Sequence, residues 1–438
     1  MSQFDYDDAS PESILEFAKR LSGKTLAQAV DMSQVMENLS NKGDLGTMVE
    51  KYYFHREPNS SSEPDFPEAG VELKTTGVKR NTDGGYQAKE RLVLTMINYM
   101  ELAGENWTTS SLMQKCRLML IVFYIYEKNI AVINRRFEPE PILFHFPTDD
   151  LVQIELDWQK IKEKVENGEA HELSEGDTYY LGACRKGSGG PNEALRRQPF
   201  SDVPAMARAF SLKPRYLNKI LEGRDANLGV LDVARNSGIE EATRVKFAPY
   251  LGKTVSELSN LVNFHQGGKG FYRGLTMRML GVVGKKVPEL EKAGIEVKTI
   301  RVNKNWNSYE SMSFPGFKYM EIVNEDWEDS NFFQKIEQRF LFVIFREGED
   351  GELRLEKILY WNMPYRDREE ARRVWEMTKA CVAIDASVLP KSKDSRVAHV
   401  RPKGKNSRDT LPTPQGTNLV KKCFWLNSSY LNEIVQNA

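Results

Sequence analysis

The order of apolar and polar residues predicts both helices and strands in the first half of the chain. Residues 71–74 alternate apolar and polar, which is typical of a strand with one buried face. The apolar run 118–126 is too short to span a bilayer and predicts a buried strand. Residues 158–166 have an amphipathic pattern that indicates a helix. The whole pattern predicts an α+β domain with helices over 11–22, 25–38, 45–53, 158–166 and 214–221, and strands over 71–74, 90–98 and 117–126.

The motifs of the first half occur again, in the same order, in the second half. Five matches carry the repeat, namely 17–25 with 247–254, 69–75 with 293–299, 105–115 with 325–335, 185–187 with 401–404, and 210–220 with 424–434. The offset between the copies falls from 230 residues to 214, so the matches are collinear and differ by short insertions and deletions. The period is too long for a solenoid. The sequence therefore predicts a tandem duplication, with an N-terminal domain over 1–222, a polar linker over 223–238 and a C-terminal domain over 239–438.

Length and charge distribution agree with two domains that each carry a basic segment. A chain of 438 residues exceeds the usual range of one hydrophobic core. Its net charge is −1, but Lys and Arg are concentrated in two segments. Residues 185–219 hold eight Lys or Arg and two acids, and residues 391–422 hold nine and two. Basic clusters in a neutral chain are typical of a phosphate-binding surface, although one such segment alone could be a solvated face.

The cysteines, the histidines and the N-terminus argue against zinc binding and against a signal peptide. The four cysteines are far apart and form no C-x-x-C pair, and the five histidines show no ligand spacing, so zinc is not expected. Unpaired thiols, and an acidic N-terminus without the basic and apolar regions of a signal peptide, predict a cytoplasmic protein with no membrane partner.

One stretch carries the residues of a metal-dependent nuclease. Pro64 and Asp65 are followed, after six residues, by Glu72-Leu73-Lys74. On a strand, Glu72 and Lys74 point to the same face, roughly 7 Å apart, and Asp65 can fold back beside them. Two carboxylates supply the hard oxygen ligands that Mg²⁺ prefers, and a lysine can orient the attacking water. On this motif alone a solvated strand face is the commoner interpretation, because E-x-K occurs by chance in charged proteins.

Further motifs accompany this site. They are the glycine-containing run 43–50, the stretch 69–74, Trp107-Thr108-Thr109-Ser110 with Lys115, the stretch 89–94, and the stretch 171–176. With them, nearly the whole chain resembles the MutH family of GATC-specific endonucleases. It resembles in particular the two-domain type II restriction enzymes of that family, in which a second MutH-like domain follows the catalytic one. The resemblance implies, for each copy, a restriction-endonuclease-like PD-(D/E)xK fold with a mixed central sheet flanked by helices.

The resemblance also implies the roles of individual residues. Asp65, Glu72 and Glu50 fall on the acidic cluster that binds the metal, expected to be Mg²⁺, and Lys74 on the lysine that places the water. Lys115 falls on a further active-site lysine. Glu50 as a solvated helix residue and Lys115 as a snorkelling lysine are the structural alternatives. The expected DNA-binding residues are Arg185, Lys186, Ser211, Arg401 and Lys403.

Two of these residues bear on recognition. Lys186 falls on a DNA-contacting lysine near the recognised bases, and a non-specific phosphate contact is the alternative. Ser211 stands where MutH has a tyrosine that helps to sense adenine methylation. Cleavage regardless of adenine methylation is therefore expected.

The resemblance predicts a Mg²⁺-dependent type II restriction endonuclease that cuts double-stranded DNA 5′ of the G in GATC and leaves four-base 5′ overhangs. Its expected partners are duplex DNA, at one or two sites, and a cognate methyltransferase that it does not contact. With one active site per chain, cutting both strands requires a dimer on DNA or two successive events. The alternatives are a mismatch-repair nicking endonuclease, which has a single domain, and a DNA-binding regulator without catalysis.

The second copy is expected to bind DNA without cutting it. It keeps Glu296 and Lys298 at the E-x-K, and Glu289 stands in place of the first copy's aspartate. At the position of the helix glutamate the sequence offers Gly274 or Met277, and neither is acidic. Because the metal cluster is incomplete and the basic segment is retained, residues 239–438 are predicted to be a DNA-binding effector domain.

Overall fold

The chain folds into two compact units. The computed structural model describes residues 5–31, 45–58, 63–82, 84–187, 195–223, 229–265, 267–268, 270–284, 286–309 and 311–437. The first unit comprises residues 1–173 and 178–228, and the second comprises 174–177 and 229–438. The boundary after residue 228 lies within the range given above to the linker, of which 224–228 are outside the described residues. Residues 32–38 of the predicted helix 25–38 are also outside them.

Within the described residues, the first unit is built from three sheets and from helices that are short apart from one long helix. Its helices are α1 (Pro11–Lys19), α2 (Leu26–Ala29), α3 (Leu45–Met48), α4 (Tyr99–Leu102), α5 (Ser111–Cys116), α6 (Thr148–Glu166) and α7 (Pro214–Leu221). Its strands are β1 (Val71–Arg80), β2 (Tyr86–Ala88), β3 (Leu92–Met96), β4 (Leu118–Ile125), β5 (Ile142–Phe144), β6 (Leu181–Arg185), β7 (Leu195–Gln198), β8 (Ser201–Met206) and β9 (Arg208–Leu212).

The main sheet of the first unit has the order β2-β1-β4-β5. Strand β1 pairs in parallel with β4, and the other two pairs are antiparallel, so the sheet is mixed. Strand β4 is buried along nearly its whole length, which explains its unbroken apolar sequence. A second sheet, β3-β9-β6, and a hairpin, β7-β8, carry the basic segment.

The second unit repeats this architecture. Its helices are α8 (Ile239–Phe247), α9 (Val255–Leu261), α10 (Phe271–Met279), α11 (Pro288–Lys292), α12 (Tyr319–Ile322), α13 (Asn331–Ile336), α14 (Tyr365–Ile384) and α15 (Ser428–Gln436). Its strands are β10 (Glu296–Val302), β11 (Ser313–Gly316), β12 (Phe340–Glu347), β13 (Leu353–Trp361), β14 (Ala398–Pro402), β15 (Thr410–Pro412), β16 (Asn418–Val420) and β17 (Lys422–Leu426).

The sheets of the second unit correspond to those of the first. Their orders are β10-β12-β13, β11-β17-β14 and β15-β16. Strands β10 and β12 are parallel, as β1 and β4 are in the first unit. The predicted α+β class and the tandem duplication are confirmed.

Buried contacts also repeat between the units. Trp107 packs against Trp158 with ring centroids 5.8 Å apart, and Trp327 packs against Trp375 at 5.7 Å. The two pairs have almost the same interplanar angle, 56° and 55°. The duplication therefore preserves the packing between the long helix of each unit and the turn that precedes α5 or α13.

A buried tyrosine fixes the closing helix of each unit to the long helix. The Tyr216 hydroxyl donates to Asp150 Oδ2 at 2.7 Å, and the Tyr430 hydroxyl donates to Asp367 Oδ2 at 2.8 Å. The two aspartates lie in the first turn of α6 and α14, where a carboxylate also faces the positive end of the helix dipole. Helix α6 begins ten residues before the predicted start at Trp158. The apolar pattern does not show this start, because the buried positions of the first turns include Asp150, Gln153 and Asp157.

None of the helices within the described ranges is long and apolar enough to cross a membrane.

Candidate active site

Strand β1 positions the E-x-K pair of the first unit. Glu72 and Lys74 lie two residues apart and therefore on the same face of the strand. Their side chains touch, with Lys74 Nζ 2.6 Å from Glu72 Oε1. Glu72 is nearly buried, with 3% of its side chain exposed, and Lys74 is 16% exposed. Parallel pairing with β4 fixes this register, since Glu72 lies opposite Met119 and Lys74 opposite Ile121.

A tight loop brings Asp65 beside this pair. Phe66 and Val71 exchange two backbone hydrogen bonds, of 2.9 and 3.1 Å, which fold the chain back onto the start of β1. Gly70 allows the turn, because its φ of +64° lies in the left-handed region. The Asp65 backbone N–H donates to Glu72 Oε2 at 3.1 Å, and Asp65 Oδ2 accepts from the Leu73 N–H at 2.9 Å.

Glu50 and Lys115 reach the same cluster from two helices. Glu50 lies in a π-helical turn, Val49–Tyr53, that continues α3. Such turns are rare and are often found at functional sites. Lys115 occupies the last turn of α5, and its Nζ lies 3.7 Å from Glu72 Oε1. The structure thus brings all five residues predicted for catalysis into one cluster.

Burial raises the pKa of two acids of this cluster, Glu50 and Glu72. The pKa of Glu50 is raised to about 7. Burial is the main cause, and the negative charges of Asp65 and Glu72 add to it, against the smaller opposing effects of Lys115 and Lys74. Burial likewise raises the pKa of Glu72 to about 7, against the opposing effect of Lys74. Burial disfavours the charged form of Lys74, but Glu72, Cys116 and Asp65 together outweigh burial and raise the pKa of Lys74. The cluster therefore has more negative charge than its lysines compensate.

The donor atoms of the cluster fit a hard divalent cation. Glu50, Asp65 and Glu72 supply carboxylate oxygens, the ligands that hard divalent cations prefer, and burial raises the pKa of Glu50 and Glu72. Within the described ranges no three His, Cys, Asp or Glu side chains are grouped tightly enough to form a ready-made metal site. Glu72 and Asp65 instead accept hydrogen bonds from the protein's own N–H groups, so a bound cation would need the free carboxylate lone pairs or a shift of Lys74.

The predicted DNA contacts of the first unit lie on one sheet, but not all at its surface. Arg185 ends β6, and its Nη2 lies 3.8 Å from Met206 Sδ. Lys186 follows it and is partly exposed, just before residues 188–194, which are outside the described residues. Ser211 is completely buried in β9 between β3 and β6. In this structure Ser211 is therefore not available to touch DNA.

The corresponding residues of the second unit are exposed. Arg401 lies in β14 with its guanidinium 5.1 Å from the centre of the Trp425 ring. Trp425 stands at the sequence position that Ser211 holds in the first copy. Lys403 donates to the Phe314 carbonyl at 2.6 Å, so part of its hydrogen-bonding capacity is used within the protein.

The E-x-K site of the second unit has a different composition. Lys298 Nζ lies 2.7 Å from Glu296 Oε1, and Lys335 Nζ lies 3.7 Å from Glu296 Oε2. Arg273, on α10, is close enough to Glu296 to help lower its pKa and donates to the Val297 carbonyl at 3.3 Å. Although burial would raise the pKa of Glu296, the three cations lower it. Glu72 in the first unit shows the opposite shift.

Three sequence expectations for this second site change in the structure. Gly274 packs under the Phe264 ring and Met277 is buried, so it is Arg273 that lies beside the E-x-K strand. Glu289 does not join the cluster, because its carboxylate accepts from the Leu231 N–H at 2.6 Å.

Neither Lys335 nor Arg273 was among the predicted site residues. Lys335 could have been found, since the Gln-Lys dipeptide after the repeated tryptophan motif matches that of Lys115. Arg273 had no such signal, because its position depends on how α10 packs against β10.

Comparisons with known proteins agree with this duplication. The family model described as "DNA mismatch repair enzyme MutH" matches residues 54–157 and again residues 282–373. The chain is 35% identical over 406 residues to the type II restriction enzyme Sau3AI of Staphylococcus aureus, covering 86% of this chain and 82% of that enzyme.

Two further relatives match about half of the chain or less. The DNA mismatch repair protein MutH of Shewanella woodyi is 29% identical over 171 residues, covering 38% of this chain and 71% of that protein. The MutH protein of Salmonella paratyphi C is 26% identical over 220 residues, covering 49% and 91%. Both halves match the family model, and one relative aligns along most of both chains, so this protein belongs to the MutH family of DNA endonucleases and carries the family's domain twice.

Proposed function

We propose that the chain is a type II restriction endonuclease that hydrolyses double-stranded DNA at GATC with the help of Mg²⁺. The observation that supports this best is the convergence of Glu50, Asp65, Glu72, Lys74 and Lys115 from three separate segments onto one cluster. The similarity to a type II restriction enzyme along most of the chain favours double-strand cleavage over mismatch-repair nicking. GATC as the target, and cleavage 5′ of the G, follow from the family resemblance.

In this proposal the acids of the cluster hold the metal and the lysines act on the reacting groups. Mg²⁺, when bound, neutralises charge on the phosphate and makes a bound water more acidic. The β1 strand holds Lys74 against Glu72. Lys74 would orient that water for in-line attack on the phosphorus. Lys115, which α5 holds near the same Glu72 oxygen, would stabilise the negative charge that develops on the phosphoryl oxygens.

The surfaces that surround the cluster would hold the DNA. Arg185 and Lys186 extend from the end of β6, and the hairpin β7-β8 adds Arg196 and Arg197. Contacts from such residues to the phosphate backbone supply affinity and make it salt-dependent. Lys186 is proposed as the base-contacting residue, so Lys186→Ala should weaken binding to GATC duplexes more than binding to duplexes of other sequence.

We infer a division of labour between the units. The first, residues 1–222, would cut, and the second, residues 239–438, would bind DNA as an effector without cutting. With one active site per chain, cleavage of both strands would require two chains on the DNA or two successive events. A methyltransferase acting on the same sequence would protect the host DNA without contacting this protein.

The test uses one residue type at equivalent positions in both units. Digestion of a plasmid of known sequence with Mg²⁺, followed by mapping of the ends, should give breaks 5′ of the G in GATC. Glu72→Gln should reduce the cleavage rate by at least about 10²- to 10³-fold. Glu296→Gln should leave it nearly unchanged. Asp65→Ala and Lys74→Ala should also abolish cleavage while DNA binding persists, because affinity comes mainly from the basic segments.

Several outcomes would contradict the proposal. Near-normal cleavage by Asp65→Ala would exclude the assigned cluster, and loss of cleavage in Glu296→Gln would indicate two active sites. Breaks in one strand only would favour the nicking enzyme. Binding to GATC without any cleavage in Mg²⁺ or Mn²⁺ would favour a regulator. Methylated and unmethylated adenine in GATC should be cut at similar rates, since a buried Ser211 offers no methyl-sensing side chain.

A further inference from the structure

Three cations surround Glu296 in the second unit, at the place that corresponds to the acidic cluster of the first. Lys298 and Lys335 contact its two carboxylate oxygens, at 2.7 and 3.7 Å. Arg273 approaches from α10, where its guanidinium donates to the Val297 carbonyl on the same strand. Glu296 and these cations form a group that we call the cationic E-x-K cluster.

The charge of this cluster is opposite to that of its counterpart. With every group in its ordinary ionised form, the four side chains of the cationic E-x-K cluster carry a formal charge of +2. The five side chains of the first cluster, three acids and two lysines, carry −1. The main cause is Arg273, which lies beside the E-x-K strand as Glu50 does in the first unit.

The cationic cluster is also more open to solvent. Side-chain exposure is 35% for Lys298 and 34% for both Lys335 and Glu296. The corresponding values are 16% for Lys74, 13% for Lys115 and 3% for Glu72. Ion pairs with this exposure contribute little to stability, so folding does not require three cations at one carboxylate. Their arrangement calls for another explanation.

The chemistry of the cluster matches a phosphodiester. Guanidinium and ammonium groups are the side-chain groups that bind phosphate, and Arg in particular can bind phosphate oxygens through two parallel hydrogen bonds. Glu296 keeps the two ammonium groups close together but leaves the group with excess positive charge. A divalent cation, in contrast, would meet one carboxylate and strong repulsion.

We propose that the cationic E-x-K cluster binds a phosphodiester of the DNA backbone directly, without a divalent metal. In this view Arg273, Lys298 and Lys335 supply the positive charge for which the first unit depends on a metal ion. The inference rests on the proposed function in one respect, namely that the second unit binds DNA. The two units would then respond differently to removal of metal, since the first would lose its hold on the scissile phosphate and the second would keep its own.

The test measures DNA binding by the full chain, made inactive by Lys74→Ala. A fluorescein-labelled duplex with one GATC is titrated in EDTA and, in parallel, in Ca²⁺, and anisotropy gives Kd. Binding should persist in EDTA. Adding Arg273→Glu should weaken binding in EDTA by about tenfold to a hundredfold, as expected for loss of a charged hydrogen bond. Ca²⁺ should then restore part of it, because the new carboxylate and Glu296 could share a cation.

The matched control is Arg372→Glu, which changes the net charge equally at an exposed arginine of α14. It should leave Kd nearly unchanged. Arg273→Gln should lower affinity less than Arg273→Glu and should reduce the slope of log Kd against log salt by about one, as for one phosphate contact. If the charge reversal impairs folding, Arg273→Gln still allows the contribution of Arg273 to DNA affinity to be measured.

Two results would overturn the inference. One is binding by the Lys74→Ala chain that disappears in EDTA. The other is an equal effect, or no effect, of Arg273→Glu and Arg372→Glu. Failure of the proposed function is a separate result, since it would be seen as absence of cleavage by the native chain in Mg²⁺, and the binding assay contains no cleavage step.

Discussion

Replacing Asp157 by valine should destabilise the first unit, although valine is the residue that the second unit has at the same place. Asp157 lies in the middle of α6 with 2% exposure. Its carboxylate accepts the backbone N–H groups of Tyr179, Tyr180 and Leu181 at 2.9, 2.6 and 2.9 Å. It also accepts from Gln153 Nε2 at 3.0 Å. These amides begin β6, the strand that ends at the proposed DNA contacts.

In the second unit, the carboxylate that accepts the backbone N–H at the start of the equivalent strand lies one helical turn earlier. Aligned on the paired tryptophans, Asp157 corresponds to Val374 and Gln153 to Glu370. Glu370 Oε1 accepts from the Arg396 N–H at 2.7 Å, just before β14. A carboxylate on the long helix therefore holds the start of the equivalent strand in both units, but from positions four residues apart.

The magnitude follows from the groups left without a partner. In Asp157→Val three buried amides lose their acceptor, at about 1 to 3 kcal/mol each. Removing the buried carboxylate also removes its desolvation penalty, which stabilises the folded state by several kcal/mol. The net loss should be about 2 to 4 kcal/mol, with the local effect concentrated in β6. The double variant Gln153→Glu with Asp157→Val places the carboxylate where the second unit has it, and should recover part of this loss.

Hydrogen exchange with mass spectrometry can locate the effect. Peptides covering 178–185 should exchange about a hundredfold faster in Asp157→Val, since about 1.4 kcal/mol corresponds to a factor of ten. Peptides covering 398–402 in the second unit serve as the internal control and should not change. Unchanged exchange at 178–185 would refute the role of Asp157. A double variant no better than the single one would refute the equivalence of the two helices.

Three further predictions concern stability. Burial raises the pKa of Asp157 from 3.8 to about 6, so the folded state holds this proton more tightly than the unfolded chain does. The free energy of unfolding should therefore fall as pH rises from about 4 to about 6 and then level off. Urea titrations should show this trend in the native protein and not in Asp157→Val. Gly168→Ala should cost about 1 to 3 kcal/mol in thermal unfolding, because its φ is +70° and an added Cβ would lie 2.7 Å from the Phe200 carbonyl oxygen. Tyr216→Phe and Tyr430→Phe should each lower the stability of their own unit by about 1.5 to 3 kcal/mol in urea unfolding, since each removes a buried hydrogen bond to a carboxylate, and an effect below 0.5 kcal/mol would contradict this.

The sequence was sufficient where local pattern and chemistry coincide. The period-two alternation around Glu72 and Lys74 predicted β1, and the repeated motifs predicted the duplication. The closing helix Pro214–Leu221 has the predicted limits, because proline favours its first turn and an apolar stripe runs along it.

Other features depend on contacts between distant segments. Strand β9 is buried on both faces, so its sequence has no alternation from which the burial of Ser211 could be inferred. Arg273 follows a glycine-rich stretch that gives no alignment with the first copy, and only the packing of α10 on β10 places it beside Glu296. The direction of Glu289 is likewise set by a backbone amide 58 residues earlier.

The tryptophan pair present in both units bears on how the two copies could diverge after duplication. Truncating Trp158 or Trp375 would open a cavity costing about 3 to 5 kcal/mol, a large part of a typical domain's stability of about 5 to 15 kcal/mol. An exchange of Glu for Arg beside the partly exposed start of β10 costs folding little, because exposed ion pairs contribute little to stability. Selection for an intact chain therefore preserves the tryptophans in both copies, whereas only selection for chemistry preserves the acids. A duplicate freed from cleavage could thus change the charge of its former active site by single substitutions, each through a folded intermediate, and acquire a new use for the same site.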